Sequence, residues 1–197
     1  MIHASSIVDV SAKIGPGVTI WQNTQIREMV SIGKNTVIGS NCYIGPGVII
    51  GENCKIQNSV LIYEPAIIDN FVFIGPGVIF TNDKKPRAYN NDFSPRLKGD
   101  WEKNGVIVKN NVSIGASSTC VAPITLESFS LIGAGSLVLK STLANSLNYG
   151  HPSKFIKWID DFGDDLTMLE NDVLRSNNDG STYFIENGVL IRNTQFT

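Results

Sequence analysis

Large apolar residues recur at every sixth position through the first eighty residues of the chain. Stepping by six from Ile2 meets fourteen consecutive large apolar side chains, the last of which is Phe80. A small or β-branched residue stands four positions after each of the first thirteen, and glycine often follows the large residue directly. A period of six matches neither the 3.6-residue period of an α-helix nor the simple alternation of a strand.

This period predicts a triangular solenoid. A short strand turns a corner on glycine or asparagine, which tolerate a positive φ angle, and three such strands close one coil. Successive coils stack about 4.8 Å apart and pair as parallel sheets. The large residues then form ladders inside, and the small residues fill the gaps between them. The expected fold class is therefore all-β, a parallel β-helix of hexapeptide repeats.

The repeat is interrupted once, between Phe80 and Val108. The gap of 28 residues is not a multiple of six, and the repeat then runs on to Val138. Residues 81–105 are polar and charged and contain two prolines. They predict an excursion loop that leaves the solenoid, either as a functional element or as a disordered insert.

The end of the chain predicts a different unit. We divide the chain into a β-helix domain over residues 1–150 and a C-terminal extension over residues 151–197. Residues 153–176 predict one or two short helices, and residues 182–192 predict a hairpin around an Asn-Gly turn. Together they would form a small α/β cap, because an open solenoid end needs covering.

Composition narrows the classes of function. The formal net charge of −2 gives no general affinity for nucleic acid. No apolar run approaches the ~18 residues of a membrane span, and no secretory signal is visible at Met1, so we expect a cytoplasmic protein. The three cysteines lack metal-site spacing and fall on inward repeat positions, which predicts reduced core residues. They are Cys42, Cys54 and Cys120.

Two stretches within residues 1–158 resemble a known family. FTNDKKPRA (Phe80–Ala88) is similar to the loop opening of enzymes that N-acetylate nucleotide-linked amino sugars. SIGASSTCVAPITLESFSLIGAGSLVLKS, followed by YGHPSKFIKWI, is similar to their coenzyme A half. The family is the left-handed β-helix acyltransferases, so the resemblance implies a left-handed solenoid. It also implies a homotrimer with active sites between subunits.

The resemblance implies an acetyl-CoA-dependent sugar N-acetyltransferase acting on a 3-amino group in surface-glycan biosynthesis, such as that of lipopolysaccharide. KIQNSVLIYEPAIIDNFVFIGPGVIFTN is closer to enzymes of UDP-2-acetamido-3-amino-2,3-dideoxy-glucuronate. The alternatives are a dTDP-3-amino-3,6-dideoxyhexose acceptor or a non-catalytic β-helix scaffold. Gly150-His151-Pro152-Ser153 departs from the family's usual GNPA turn.

The proposed chemistry lacks a histidine base. Many hexapeptide acyltransferases use one, but this chain has only His3 and His151. The subfamily resembled is thought to need none. An amine that titrates near ~7.7–8.0 has a useful neutral fraction at neutral pH. Asn82 is the expected catalytic residue, because a neutral amide accepts a hydrogen bond from the amine without favouring the ammonium form; the alternative is an ordinary loop asparagine.

Five further residues are expected to bind the acceptor. Glu64 and Tyr63 stand at a repeat corner, and Gln57 precedes them by one turn of the pattern. Asp83 is expected to bind a sugar hydroxyl or to fix the loop. Arg87 is expected to meet a pyrophosphate or a sugar carboxylate, since guanidinium suits anions.

For coenzyme A we expect small residues at the corners of adjacent coils, where pantetheine can lie against the backbone. Two lysines, Lys140 and Lys154, are expected to neutralise its phosphates. No metal is expected, because two histidines are too few for the three-histidine zinc of a γ-class carbonic anhydrase. The small residues are Gly115, Ala116, Gly133 and Ala134.

Overall fold

The computed structural model describes residues 1–97, 99–169 and 172–193. It is an all-β parallel solenoid of about eight coils with almost no helix, as the six-residue period predicts. Strands of two or three residues alternate with tight corners, and every third strand joins the same sheet. The coil therefore has three sides, each formed by one sheet.

The strands are numbered in chain order. The first sheet contains β1 (Ile7–Val8), β4 (Gln25–Ile26), β7 (Tyr43–Ile44), β10 (Leu61–Ile62), β13 (Ile79–Phe80), β16 (Thr119–Cys120) and β19 (Leu137–Val138). The second contains β2 (Lys13–Ile14), β5 (Ser31–Ile32), β8 (Ile49–Ile50), β11 (Ile67–Ile68), β14 (Val106–Val108) and β17 (Ile124–Leu126). The third contains β3 (Thr19–Ile20), β6 (Val37–Ile38), β9 (Lys55–Ile56), β12 (Phe73–Ile74), β15 (Ser113–Ile114), β18 (Leu131–Ile132), β20 (Ser146–Gly150) and β21 (Ser153–Trp158).

Equivalent repeat positions lie directly above one another. Ile26 pairs with Ile44, and Ile44 pairs with Ile62, all in parallel register. The isoleucines at these positions are almost fully buried from Ile20 onward. The three cysteines also lie in this core, and burial raises the pKa of the Cys120 thiol to about 12. The predicted inward ladders and the predicted buried cysteines are confirmed.

The corners use left-handed backbone, as the repeated asparagines predict. Asn35 and Asn53 have φ angles of 58° and 56°, and the Asn35 amide donates to Asn53 Oδ1 across one coil at 3.2 Å. The same conformation is adopted at Met29, Phe71 and Phe129, where the side chain is bulky. Bulky residues rarely adopt this conformation, so stacking of the coils overrides local preference there.

The loop of residues 81–105 leaves the solenoid between β13 and β14, where the interrupted repeat predicts it. The flanking strands keep their register across the insertion, because Phe80 pairs with Cys120 and Ile68 with Val108. The loop has defined turns and an isolated bridge between Tyr89 and Pro95.

The predicted helices in residues 153–176 are wrong in the described part of that range. β21 pairs antiparallel with β20 instead, and β22 (Leu166–Met168) pairs with β23 (Leu174–Ser176). Two physical reasons explain the strands. Gly163, with φ of 93°, breaks any helix through the segment, and β20 offers an open edge whose backbone groups need partners.

The predicted C-terminal hairpin is confirmed. β24 (Thr182–Glu186) and β25 (Val189–Arg192) pair around Asn187 and Gly188, which both have positive φ angles. An Asn-Gly pair with this backbone forms the two-residue turn that suits twisted hairpins. The four tail strands β22 to β25 form one antiparallel sheet over a small core of Leu174, Tyr183 and Leu190.

Asp160 is buried, and its carboxylate connects separate segments of this tail through hydrogen bonds. Its carboxylate accepts hydrogen bonds from the Ser176 hydroxyl at 2.6 Å and the Asn178 amide at 2.8 Å, and from two backbone N–H groups. Burial alone would raise the pKa of this carboxyl, but the hydrogen bonds outweigh burial and lower it. The division into domains at residue 150 stays a prediction.

Candidate functional site

The candidate site is the corner where each coil passes from the first sheet to the second. Glu64 follows β10 at this corner, and Asn82 follows β13 one coil later, 18 residues further along the chain. The parallel pairing of β10 with β13 sets the two residues above one another. The excursion loop leaves the solenoid at the same corner.

The amide of Asn82 has a defined orientation. Its Nδ2 donates a hydrogen bond to the backbone carbonyl of Glu64 at 2.9 Å. A carbonyl only accepts, so nitrogen must face Glu64 and Oδ1 must face away. Oδ1 receives no hydrogen bond from the residues that the structure describes. Asn82 therefore presents a free acceptor at a half-buried position.

The Glu64 side chain lies beside Gly45 of the preceding coil and also binds the excursion loop through Lys103. A Cβ built at Gly45 would come within 2.8 Å of Glu64 Oε2, so a side chain at Gly45 would displace the carboxylate. Glu64 Oε1 accepts a hydrogen bond from Lys103 at 3.0 Å, and Lys103 also lies 5.9 Å from the ring centroid of Trp101. The backbone N–H of Asn104 donates to the Asn82 carbonyl at 3.0 Å and closes the neck of the loop.

Asp83 fixes the fold of the loop. One carboxylate oxygen accepts from the backbone N–H of Lys85 at 2.8 Å, and the other accepts from Arg96 at 3.2 Å. Of the two roles expected for Asp83, the structure supplies partners for the one within the loop. Arg87 donates to the Pro86 carbonyl at 2.8 Å and lines an open cavity in the loop.

Tyr63 joins Asn82 and Glu64 at this corner, whereas Gln57 does not. The Tyr63 ring packs against Tyr43 with centroids 5.2 Å apart. Gln57 follows β9 and lies at the corner between the third and first sheets. Its backbone carbonyl accepts from the Cys42 thiol at 3.1 Å. The expected acceptor residues are therefore divided between two corners of the coil.

The residues expected to bind coenzyme A also form two groups. The four small ones follow β15 and β18 at the corner between the third and first sheets. A Cβ at Gly115 would lie 2.4 Å from the backbone nitrogen of Ala134, so this stack of coils admits only glycine at Gly115. Lys140 and Lys154 instead line a separate cavity of about 480 Å³ beside Asn148 and Phe155, after the last repeat.

Neither histidine lies at the Asn82 corner. His3 stands on the first coil and shares a hydrogen bond of 3.0 Å with the Ser5 hydroxyl. His151 occupies the turn between β20 and β21, where it precedes Pro152. The chain contains no third histidine.

Sequence reasoning missed the loop residues that complete this corner. Arg96, Lys103 and Asn104 reach Asp83, Glu64 and Asn82 across separations of 13, 39 and 22 residues. The many charged residues in 81–105 were the signal that could have indicated ion pairs within this loop. The partners themselves depend on the loop's path, which no local pattern specifies.

The described residues hold neither a group of metal ligands nor a membrane-spanning helix. Across residues 1–97, 99–169 and 172–193, no three His, Cys, Asp or Glu side chains are grouped to bind a metal ion. The same part of the chain holds no helix with the length and apolar composition that a bilayer crossing needs.

Comparison with known sequences identifies the repeat. A family model described as bacterial transferase hexapeptide (six repeats) matches residues 11–46 and 29–64. A second, described as hexapeptide repeat of succinyl-transferase, matches residues 105–140. The bifunctional protein GlmU of Wigglesworthia glossinidia brevipalpis is 48% identical over 40 residues, which are 20% of this chain and only 9% of that relative.

Comparison with solved structures shows the fold. A hexapeptide transferase family protein from Anaplasma phagocytophilum is 22% identical, with a TM-score of 0.53 over 79% of this chain and 80% of its own. The polySia-specific acetyltransferase NeuO is 18% identical, with a TM-score of 0.52 over 79% and 88%. A hexapeptide-repeat-containing acetyltransferase from Vibrio cholerae is 17% identical, with a TM-score of 0.52 over 75% and 74%.

Proposed function

We propose that this chain, which carries the hexapeptide repeats of bacterial transferases, is an acetyl-CoA-dependent sugar N-acetyltransferase. Its acceptor would be the 3-amino group of a nucleotide-linked sugar, with the UDP-2-acetamido-3-amino-2,3-dideoxy-glucuronate type favoured by the resemblance. The repeats support an acyltransferase. The acceptor is proposed from the loop opening FTND and from the corner around Asn82.

The orientation of the Asn82 amide carries the proposal. An incoming amine has two N–H donors and one lone pair, and Asn82 Oδ1 is a free acceptor at this corner. A hydrogen bond from the amine to Oδ1 would aim the lone pair away from Asn82 and toward a bound thioester. The Glu64 carbonyl holds the amide in place before the substrate arrives, so orientation requires little further ordering.

The reaction needs no proton acceptor from the protein. The neutral amine attacks the thioester carbonyl, a C–N bond forms and the C–S bond breaks. The nitrogen then loses one proton, and the departing thiolate sulfur gains one. An amine near ~7.7–8.0 in pKa supplies enough neutral nucleophile at neutral pH. This chemistry agrees with the positions of His3 and His151 on other parts of the solenoid.

A side-by-side trimer would bring the two expected halves together. Asn82 and the small residues from Gly115 to Ala134 lie at different corners of one triangular coil. A neighbouring copy can set its own corner of small residues against the Asn82 corner of the first. Acetyl-CoA would then lie between subunits, with its phosphates near Lys140 and Lys154.

The test follows free thiol release from acetyl-CoA with UDP- and dTDP-linked 3-amino sugars. We expect Asn82→Ala to lower kcat/KM about 100-fold, because misorientation of a nucleophile costs about that much. Asn177→Ala is the matched control, since Asn177 is an exposed amide whose side chain hydrogen-bonds Thr167 in the tail. Equal rates for the two variants would contradict the role of Asn82.

The acceptor panel separates the alternatives. Release with only the UDP sugar or only the dTDP sugar identifies the nucleotide. A folded protein that neither binds coenzyme A nor releases thiol would overturn the enzyme assignment in favour of a β-helix scaffold.

A further inference from the structure

The excursion loop of residues 81–105 carries exposed apolar side chains and a surplus of positive charge. Phe93 is 80% exposed, adopts a positive φ of 62° and stacks on Tyr89 with ring centroids 5.3 Å apart. Leu97 is also exposed. The loop contains six basic and four acidic side chains. Contacts within the chain leave most of Phe93 uncovered, so this surface suits a partner that is both apolar and acidic.

Among the loop cations that the structure describes, three have no acidic partner. Arg96 and Lys103 are engaged in ion pairs within the same chain. Lys84, Lys85 and Arg87 form no ion pair with any described residue. The charges of Lys84 and Lys85 are therefore available to carboxylates from outside the loop.

The C-terminal tail has the opposite charge. Residues 159–193 contain eight acidic and only two basic side chains. Asp164 is exposed and forms no ion pair with any described residue. Phe162, two positions earlier, is 65% exposed. The tail thus presents an apolar side chain beside a carboxylate without a cationic partner, which is the complement of the loop surface.

The start of the tail lies on the outer face of the third sheet. A Cβ built at Gly163 would lie 3.9 Å from Cδ2 of Leu131, which belongs to β18. Phe162 and Gly163 also border a small cavity together with Ser113 of β15. The loop leaves the solenoid between β13 and β14, in the coil that β15 completes. Loop and tail therefore lie at similar heights along the solenoid.

The proposed trimer brings these two surfaces into one groove. The Asn82 corner and the corner of small residues are the two ends of the first sheet. When these corners meet between copies, the first sheet faces the threefold axis and the other two sheets face outward. The outer groove between two copies is then bounded by the second sheet of one copy and the third sheet of the next. The loop of one copy opens into this groove, and the tail of the next copy lies on the opposite wall.

We propose that the excursion loop of one copy docks on the C-terminal tail of the next copy, with Phe93 packed beside Phe162. Lys84 and Lys85 then face Asp164, and this charge pairing fixes the orientation of the contact. The arrangement rests on the trimer of the proposed function, but it depends on neither the acceptor sugar nor the acyl chemistry. The tail of a neighbouring copy holds the loop in position over the candidate site.

Chemical cross-linking of the full-length protein tests the contact, after native mass spectrometry has given the oligomeric state. Asn91→Cys and Asp165→Cys place exposed thiols beside the two surfaces, whereas the native cysteines are buried and react poorly. We expect a bismaleimide to join doubly substituted chains into dimers and trimers on a denaturing gel. The matched control combines Asn91→Cys with Lys13→Cys, an exposed position on the first coil, and should give single chains.

Trypsin cleavage within the loop gives a second measurement. Arg87 and Arg96 are cleavage sites, because neither precedes a proline, and docking would protect them. We expect Phe162→Ser and Asp164→Lys each to speed this cleavage about fivefold, because the rate follows the population of undocked loop. Phe71→Ser is the matched control, since Phe71 is an exposed phenylalanine one coil below the loop, and it should leave the rate unchanged. Unchanged thermal melting of each variant confirms that the fold is intact.

The outcomes separate this contact from the transferase. Cross-links between chains, together with faster loop cleavage in at least one tail variant, support the contact. A trimer without such cross-links, loop cleavage that neither tail variant changes, or a monomeric protein overturns it. Thiol release from acetyl-CoA is measured on the same preparation. Acetyl transfer without cross-links would support the transferase alone, and cross-links without transfer would support the contact and contradict the transferase.

Discussion

At the scale of single residues, Asn82 differs from an ordinary loop asparagine in the state of its amide. The amide nitrogen is held by a hydrogen bond, whereas the amide oxygen is free. The Glu64 carbonyl at 2.9 Å sets which face of the amide is the acceptor. A carboxylate at this position would instead favour the ammonium form of the acceptor, which has no lone pair for attack. The Asn82 amide is uncharged and its acceptor oxygen has a fixed orientation, and these two properties together explain why an amide serves here.

Replacement of both histidines tests whether the protein supplies a base. Because neither His3 nor His151 lies at the Asn82 corner, we expect the doubly substituted protein, His3→Gln with His151→Gln, to keep kcat/KM within about twofold. Its kcat/KM should rise with pH through a single pKa, that of the substrate amine near ~7.7–8.0. The measurement is a pH series of thiol release. A fall of 100-fold or more would show that a histidine is the base.

At the scale of elements, the excursion loop depends on contacts at its neck. Lys103 and Glu64 join the end of the loop to the solenoid, and their side chains are 36% and 17% exposed. A partly exposed pair contributes at most about 1 kcal/mol to folding. Its main effect is therefore on the position of the loop, and through Asn104 on the corner around Asn82.

Lys103→Met should separate these effects. We expect the melting temperature to fall by less than about 4 °C, while KM for the acceptor rises roughly fivefold because the loop loses an anchor. Lys34→Met is the matched control, because it breaks a similar 3.1 Å pair with Glu52 at another corner. Steady-state kinetics and thermal melting measure both quantities. An equal change in KM for the two variants would contradict this role of the neck.

The elements also show which features a sequence can reveal. The isoleucine ladder and the Asn-Gly hairpin follow from spacing and local backbone preference, and both are confirmed. The helices in residues 153–176 were wrong because the edge of β20 and the left-handed Gly163 outweigh helical spacing. The site corner lies between these cases: Glu64 and Asn82 are separated by the 18 residues of one coil, but Lys103 and Arg96 arrive through a loop without a repeat.

At the scale of the whole molecule, the solenoid fixes the positions of the candidate residues at its three corners. The Asn82 corner, the corner of small residues and the cavity at the end of the repeats are separate on one copy. The proposed trimer unites the first two, and the loop extends the acceptor site away from the core. Acyl transfer to nitrogen is then the claim on which the whole account depends.

One comparison tests that claim most directly. The unaltered protein is incubated with acetyl-CoA and either a nucleotide-linked 3-amino sugar or the same sugar with a 3-hydroxyl group. The account predicts thiol release and an N-acetylated product with the amine and no transfer to the hydroxyl, since neither histidine lies at the Asn82 corner to activate an alcohol. Comparable transfer to the hydroxyl sugar, or no transfer to either, would contradict it.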